Sequence, residues 1–432
     1  MSQVTPDGVA SGGRWWNDVR PDQWRTLTGA WAGWVLDAFD FTILLLVLPE
    51  IAKTFGVSLV AMGTVVTGTL FCRLFGGLLF GTWADRAGRL LPLMVSIAAF
   101  SLFSLATAFA PTFVIFFAVR LLFGIGMGGE WASGTPLAME NWPRQHRGIA
   151  SGILQGGWPV GYLLATLVYF IVFPLWGWRA LFVVGALPAL LVLYIRTRMP
   201  ESPVYLERQD HLKQRTTGIA EQFSLVRLFQ PDLVRTTIHA FIVMGAMMFA
   251  YYGLSTFWPT FLGSAVHLGV GGRTLFLVCL NAASLGGYWV AGWASEVLGR
   301  RPTLILYAAG AMASLPLYSL ATAPWMVLIG GILIGAFGVG LWGVIPAYLS
   351  ERFPTSARAA GSGTSYHVGA AIGSFAATIV ALINASGLKL GQAIAIGGAM
   401  ALAAVVISVA VGPEPRGREF VPVEEVPQSA SR

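Results

Sequence analysis

Five charged residues lie inside long apolar runs of the sequence: Asp37, Asp40, Arg73, Arg120 and Glu130. At the centre of a membrane helix each such charge costs about 2.5 to 3.5 kcal/mol, so these side chains are expected to face a cavity or one another. Buried carboxyl groups can load and release protons, and a guanidinium attracts a carboxylate. We therefore expect Asp37, Asp40 and Glu130 to couple protons, and Arg120 and Arg73 to bind an anionic substrate.

The spacing of these charges predicts how they pair. Asp37 and Asp40 are three residues apart and share one face of a helix, so each carboxylate affects the proton affinity of the other. Counting about 1.5 Å per residue from the outer helix ends puts Asp40 and Arg120 at a similar depth, and Arg73 and Glu130 further inward. The sequence thus predicts an Asp40–Arg120 pair and an inner Arg73–Glu130 pair. It leaves open which aspartate carries the proton.

Composition defines the scaffold that must position these charges. The chain has 432 residues, of which 56% are hydrophobic and 11% are charged, whereas soluble domains carry about 25% charged residues. A membrane crossing takes roughly 20 apolar residues. The long unbroken apolar runs therefore predict an all-α integral membrane protein with twelve transmembrane helices, and they exclude a soluble fold.

An internal repeat divides the chain into two six-helix bundles related by pseudo-symmetry. The pattern Gly81, Asp85, Gly88, Arg89 recurs 211 positions later, and so does the pattern Glu140, Pro143, Arg147. The predicted segments are an N-terminal segment 1–25, a first bundle 26–196, a linker 197–235, a second bundle 236–411 and a tail 412–432 without stable structure. The same offset places Met248, Tyr251, Ser284, Gly331 and Leu341 opposite the five intramembrane charges. We therefore expect the first bundle to handle protons and the second to contribute neutral contacts.

Basic residues predict the orientation of the chain in the membrane. Most of the 27 Lys and Arg residues fall in the loops on one side, together with both termini, and basic loops face the cytoplasm. We expect both termini in the cytoplasm, a multi-pass protein in a plasma membrane of the bacterial inner-membrane type, and no cleaved signal peptide. The net charge of +7 follows from these loops, so no nucleic-acid partner is expected.

Two loops resemble a known family. Gly-Thr-Trp-Ala-Asp-Arg-Ala-Gly-Arg at 81–89 and its copy at 292–301 resemble the signature loop of the major facilitator superfamily. Within it, Asp37-Ala-Phe-Asp40, Gly128-Gly129-Glu130-Trp131 and Pro200-Glu201-Ser202 resemble the organic-acid:proton symporters, which include sialate, lactate-type monocarboxylate and aromatic-acid groups. The stretch 251–261 lacks the His and the Gln-Asp pair of yeast-type lactate permeases, which weighs against a lactate assignment.

The resemblance also implies roles for charged residues near the loops. It implies that a carboxylate in helix 1, Asp37 or Asp40, opposes Arg120 in helix 4 for proton coupling. It further implies that Asp85, Arg89, Glu296, Arg300 and Arg301 latch neighbouring helix ends in the outward-facing state. Charged residues at the matching helix ends of both halves would complete this latch through ion pairs, although helix-end electrostatics also explains them. These gating residues are Asp85, Arg86, Arg89, Glu140, Arg147, Glu296, Arg300, Arg301, Glu351 and Arg358.

Four further polar or aromatic residues are candidates for contact with substrate. His367 and Asn281 lie inside predicted helices, where such side chains often only bond a neighbouring helix. Tyr252 and Trp258 occupy the position in helix 7 that the family favours for substrate contact, although aromatic residues there also serve packing.

Together these features predict a secondary transporter that moves a small organic anion, such as lactate or a related monocarboxylate, with protons by alternating access. A sialic acid or aromatic acid:proton symporter is the alternative, and a non-transporting membrane receptor is a rival of another class. No nucleotide-binding loop and no His-Glu-x-x-His or Gly-x-Ser-x-Gly pattern is present, so an enzyme is not expected. The expected partners are the organic acid, protons and membrane lipid, with no other cofactor, no metal and a monomeric state.

Overall fold

The structure is a computed structural model that describes residues 15–214 and 224–420. Within these ranges every regular element is helical, and eleven helical stretches are long and apolar enough to cross a membrane. One of them, Arg144–Arg198, has 55 residues. At 1.5 Å per residue it measures about 80 Å, against about 30 Å for a hydrocarbon core, so it crosses twice. Gly177, with φ of 68°, turns the chain between the two crossings. The described ranges thus contain the twelve crossings that the sequence predicts.

The first bundle holds spans 1 to 6. Span 1 begins at Pro21, five residues before the predicted boundary, because proline is well suited to the first turn of a helix. Spans 2 and 4 begin after Ser58 and Thr112, whose hydroxyl groups accept hydrogen bonds from backbone N–H groups of the first turn. The helices are Pro21–Leu46, Leu48–Phe55, Leu59–Ala87, Leu90–Ala108, Phe113–Asn141, Arg147–Gln155, Gly157–Val184 and Ala189–Arg198.

The second bundle holds spans 7 to 12. Span 10 is irregular and contains a π-helical and a 3₁₀ segment between two α-helical segments, and span 9 ends in a π-helical turn. The elements are Val234–Ser255, Trp258–Ser264, Val270–Val297, Arg300–Leu315, Pro316–Leu320, Pro324–Leu333, Ile334–Val339, Gly340–Val344, Ile345–Ser350, Arg358–Gly373, Phe375–Ala385 and Leu390–Val411. Between the bundles, helices Pro203–Gln214 and Ser224–Leu228 occupy described parts of the predicted linker.

Close glycine contacts repeat in both bundles. A Cβ at Gly76 in span 2 would overlap the carbonyl of Ile125 in span 4. The residue 211 positions later, Gly287 in span 8, meets the carbonyl of Ala336 in span 10 in the same way. Small residues let helix backbones approach closely where no hydrophobic effect drives association. The repeat read from the sequence is therefore also a repeat of packing.

Both described chain ends lie at the same end of the bundles, which we call the inner end and which carries the loops 81–89 and 292–301. The ring of Trp15 lies 6.4 Å from that of His146, and Phe420 lies over Arg147. The expectation of a tail without structure is wrong for residues 413–420, because Glu414 and Phe420 bind elements of the inner end. Residues 421–432 and 1–14 lie outside the described residues.

Candidate substrate and proton site

Asp37 and Arg73 form a buried ion pair between spans 1 and 2. The Asp37 carboxylate accepts a hydrogen bond of 2.6 Å from an Arg73 guanidinium nitrogen, and the two side chains are 0% and 5% exposed. The pair is incompletely satisfied, because Asp37 Oδ1 and Arg73 Nε have no hydrogen-bond partner in the structure. Unpartnered buried polar atoms are costly in a folded protein, so this pair retains capacity to bind a polar ligand or a proton.

Glu130 of span 4 is the third charge of this cluster. Its carboxylate lies against Gly33, one helical turn before Asp37, where a Cβ would come within 2.7 Å of Glu130 Oε1. Glu130 Oε2 has no hydrogen-bond partner among the described residues, and the charge of Glu130 interacts with those of Asp37 and Arg73. The predicted Arg73–Glu130 pair is therefore wrong as a direct contact: in the structure, the ion pair at hydrogen-bond distance is Arg73–Asp37. Counting residues along a helix gives depth but not the direction of a side chain.

Aromatic rings from both bundles surround Arg73. The guanidinium carbon lies 5.6 Å from the Trp34 ring and 5.8 Å from the Tyr366 ring, distances typical of cation–π contacts. Tyr366 stacks on Trp131 with ring centroids 4.3 Å apart. Tyr252 also interacts electrostatically with Arg73. Further ring contacts extend from Trp34 and Tyr366 to other tryptophan and tyrosine residues. We call these connected tryptophan and tyrosine rings the aromatic ring cluster, and its members are Trp34, Trp131, Trp158, Tyr251, Tyr252, Trp342 and Tyr366.

Asp40 and Arg120 lie in a second, separate cluster. Ser104 donates a hydrogen bond of 2.7 Å to Asp40 Oδ1, whereas Asp40 Oδ2 has no partner. Arg120 is fully buried, none of its three guanidinium nitrogens finds a hydrogen-bond partner in the structure, and its guanidinium lies 3.8 Å from the Phe123 ring. The two charges interact electrostatically but form no ion pair within the described residues. The predicted Asp40–Arg120 pair is wrong as a direct contact, since Asp40 is directed to Ser104.

The other predicted contact residues divide into two groups. His367 lies at the seam between the bundles, where its Nε2 is 3.2 Å from the carbonyl oxygen of Gly128 and its Nδ1 has no partner. Asn281 donates to the carbonyl of Leu277 in its own helix. Trp258 donates to the carbonyl of Tyr318 and stacks on that ring at 4.7 Å, inside the second bundle. The structure therefore places Tyr252 and His367 where they interact electrostatically with Arg73, whereas Asn281 and Trp258 form hydrogen bonds within the second bundle.

The predicted gating residues form two matched networks at the inner end. Arg89 donates to both carboxylate oxygens of Glu140, at 3.1 Å each, and Arg300 donates to both oxygens of Glu351, at 3.1 and 3.0 Å. Asp85 accepts from the backbone N–H groups of Ala359 and Ala360, at the start of the helix that begins span 11. Glu296 accepts in the same way from Gly148, at the start of span 5. Each carboxylate thus caps a helix of the opposite bundle, where the helix dipole favours negative charge.

The two networks are not fully symmetric, and a clear difference lies at Arg147 and Arg358. Arg358 crosses between the bundles and donates to Glu140 at 2.5 Å. Both arginines donate through Nε to a carbonyl oxygen of their own bundle, Arg147 to Met139 and Arg358 to Ser350. The Nη1 of Arg147, however, donates to the carbonyl oxygen of Arg418, and within the described residues Arg147 forms no ion pair with Glu351. Arg86 accepts a hydrogen bond from Tyr205 through its carbonyl, and Arg301 is held through its backbone N–H by Glu414.

Sequence reasoning missed several residues of these sites. Trp34 lies three positions before Asp37 on the same helix face, so helical spacing could have placed it in the site. Glu201 and Glu414 each follow a proline after the last span of a bundle, and each accepts from the backbone of the duplicated loop. Ser104 and Phe420 carry no distinguishing pattern in one sequence.

Comparisons with known proteins agree with this architecture. Residues 30–315 match the Major Facilitator Superfamily, and residues 260–414 match the Sugar (and other) transporter family. The chain is 31% identical over 362 residues to a cis,cis-muconate transport protein of Acinetobacter baylyi, covering 83% of this chain and 87% of that protein. It is 29% identical over 370 residues to a niacin transporter of the same organism, covering 81% and 84%.

A solved structure shares the fold. The proton:xylose symporter XylE bound to 6-bromo-6-deoxy-D-glucose superposes with a TM-score of 0.76 at 19% identity, covering 92% of this chain and 98% of that one. These similar proteins are transporters rather than enzymes, which confirms the expected class. With a family match that spans most of its length and a fold that agrees, the chain belongs to the major facilitator superfamily of membrane transporters.

Proposed function

We propose that the protein is a proton-coupled symporter of a small organic anion, with Arg73 as the anion-binding residue. The observation that carries this proposal is the buried Asp37–Arg73 ion pair, with an unpartnered oxygen on Asp37 and a second carboxylate, Glu130, beside it. A substrate carboxylate that binds Arg73 competes with Asp37 for the same donors. Protonation of Asp37 weakens its hold on Arg73 and thereby favours substrate binding.

Charge balance gives the expected stoichiometry. The cluster of Asp37, Glu130 and Arg73 has two negative charges and one positive charge when all three are ionised, so one bound proton makes it neutral. A monocarboxylate adds one negative charge, and one further proton restores neutrality in a medium where net charge is expensive. We therefore expect one proton per monocarboxylate, and uptake that follows the pH gradient more than the voltage.

The aromatic ring cluster favours a planar, conjugated carboxylate over lactate among organic anions. The rings of Trp34, Trp131 and Tyr366 form stacked and edge-to-face pairs next to the cation, and their flat surfaces suit a conjugated substrate better than lactate. The substrates named for the two relatives, niacin and cis,cis-muconate, are planar conjugated acids. Sialic acid has a puckered, non-planar sugar ring, which cannot cover flat ring faces as a conjugated acid does.

Asp40 and Arg120 supply the second proposed proton-coupling element. Their separation and the unpartnered guanidinium leave Asp40 free to change protonation without breaking a direct ion pair. The duplicated inner-end network would then close the cytoplasmic side while substrate and proton enter from outside. We propose the plasma membrane as the location, with both termini cytoplasmic, a monomeric state and no cofactor other than protons.

Uptake by purified protein in liposomes tests this function. With an inward pH gradient, labelled niacin should accumulate, and a pH dye outside should report alkalinisation that depends on substrate. Unlabelled benzoate and cis,cis-muconate should compete more strongly than lactate or sialic acid. Binding of niacin without any uptake, under either gradient, would favour the receptor hypothesis instead. Accumulation that follows the voltage at equal pH would contradict proton coupling at the expected stoichiometry.

A further inference from the structure

Residues 413–420 form a strap that crosses the inner end of the molecule. Glu414 attaches it to the second bundle, where its carboxylate accepts from the backbone N–H groups of Arg300 and Arg301 at 2.9 and 2.8 Å. Arg416 donates to the carbonyl of Val297 at the end of span 8. The strap then reaches the first bundle, where its residue Arg418 accepts through its carbonyl oxygen from Arg147 at 3.0 Å.

Phe420 ends the strap between two arginines that are related by the internal repeat. Its ring centroid lies 3.5 Å from the guanidinium carbon of Arg147 and 3.7 Å from that of Arg358. Phe420 is 8% exposed and belongs to a hydrophobic cluster that also contains Met139 and Ala347, which lie in opposite bundles. A phenyl ring attracts cations over its face, so the Phe420 ring stabilises the guanidinium groups of both arginines at once.

This arrangement lies where the two networks differ at Arg147 and Arg358. The Nη1 of Arg358 donates to Glu140 across the bundles, whereas the Nη1 of Arg147 donates to the carbonyl oxygen of Arg418 in the strap. On one side of the inner end, a side-chain ion pair therefore joins the two bundles. On the other side, the strap makes the equivalent connection.

We propose that Arg147 and Arg358 form a binding site for the Phe420 side chain, and that the strap holds the inner end closed. The site exists only while the bundles are together, because rocking them apart separates the two arginines and one ring cannot contact both. Ligands that bind one of two states shift the population toward it by their differential affinity. Because the strap binds the state that is closed at the inner end, it raises the population of that state relative to the state that is open there.

Distances between the inner ends test this proposal without reference to substrate. In a background with Cys72→Ser and Cys279→Ser, spin labels are attached at Ala87→Cys and Leu298→Cys, two exposed sites related by the repeat offset. Pulsed electron resonance then gives the distribution of distances between the bundles in detergent and in lipid. Phe420→Ala should raise the population at long distance at least threefold over the parent.

Two variants serve as controls. Phe420→Tyr keeps the ring and should keep the distribution of the parent. Glu419→Ala alters a neighbouring strap side chain that is 77% exposed and should also leave it unchanged. Thermal unfolding of each purified variant verifies that it is folded. An unchanged distribution in Phe420→Ala, or an equal shift in Glu419→Ala, would overturn the proposal.

Discussion

The inner-end network and the mid-membrane clusters use the same residue types in opposite ways. At the inner end, all three guanidinium nitrogens of Arg89 and of Arg300 donate hydrogen bonds, and the arrangement occurs in both bundles. In the mid-membrane clusters, Arg120 has no partner for any guanidinium nitrogen in the structure, Arg73 lacks one for Nε, and the charges occur in the first bundle alone. Satisfied networks fix a structure, whereas unsatisfied buried groups retain capacity for a ligand.

This difference shows which interactions the internal repeat duplicates and which it does not. The ion pairs at the inner end, where the two bundles dock against each other, occur twice at a constant offset. The mid-membrane charges occur once, and the residues at the matching positions of the second bundle are neutral. Position-matched substitutions in the two bundles can therefore separate docking from transport.

The largest effect is expected from Asp37→Asn. Asparagine preserves size but cannot ionise, so uptake driven by a pH gradient should fall about 100-fold or more, and its pH dependence should flatten. The matched control is Met248→Leu, at the repeat counterpart of Asp37, which should retain uptake within about twofold because it conserves volume. Both rates are measured in liposomes at equal protein density. If Asp37→Asn retained full uptake driven by the pH gradient, Asp37 would not be a proton-coupling residue.

Arg73→Lys compared with Arg120→Lys distinguishes the two mid-membrane clusters. Lysine cannot offer the planar fork of arginine, so at Arg73 the KM for substrate should rise about 10-fold to 100-fold. At Arg120 the KM should change less, with kcat and its pH profile affected instead, since Arg120 acts on Asp40. Initial uptake rates over a range of substrate concentrations give both constants. A larger rise in KM for Arg120→Lys than for Arg73→Lys would show that the anion binds in the cluster of Asp40 and Arg120.

Glu140→Gln compared with Glu351→Gln tests the asymmetry of the inner end. Each carboxylate binds an arginine of its own bundle, but Glu140 also binds Arg358 of the other. Removing one partner of a buried pair costs about 3 to 5 kcal/mol, so both variants should unfold at lower temperature. Glu140→Gln alone should lengthen the distance between spin labels at Ala87→Cys and Leu298→Cys. A similar shift in both variants would show that the side-chain pairs act symmetrically.

The fold was largely predictable from the sequence, because apolar length and a repeat are properties of the chain itself. The offset of 211 correctly anticipated the paired loops around Asp85 and Glu296. The division of the mid-membrane charges into clusters was not predictable. Whether Asp37 or Glu130 meets Arg73 depends on helix rotation and crossing, which one sequence does not specify.

The strap shows a second limit of structure prediction from the sequence. Residues 413–420 have the proline and charge content of an unstructured tail, and local composition alone gives no reason to expect order. Order arises from partners far along the chain, such as the N–H groups of Arg300 and Arg301 and the guanidinium of Arg147. Such tertiary contacts leave no local periodicity in the tail.

The smallest effect is expected from Trp258→Phe. This variant tests whether the substrate contacts the helix 7 position of Trp258 or the aromatic ring cluster around Arg73. The Trp258 indole donates to the Tyr318 carbonyl inside the second bundle, and losing that bond should cost about 1 kcal/mol of stability. Because Trp258 lies outside the aromatic ring cluster, the KM should stay within about twofold. Trp34→Phe should raise the KM several-fold, because phenylalanine presents a smaller and more weakly cation-binding ring to Arg73. Thermal unfolding and uptake kinetics on both variants give the two quantities. A larger rise in KM for Trp258→Phe than for Trp34→Phe would mean that the substrate binds within the second bundle rather than beside Arg73.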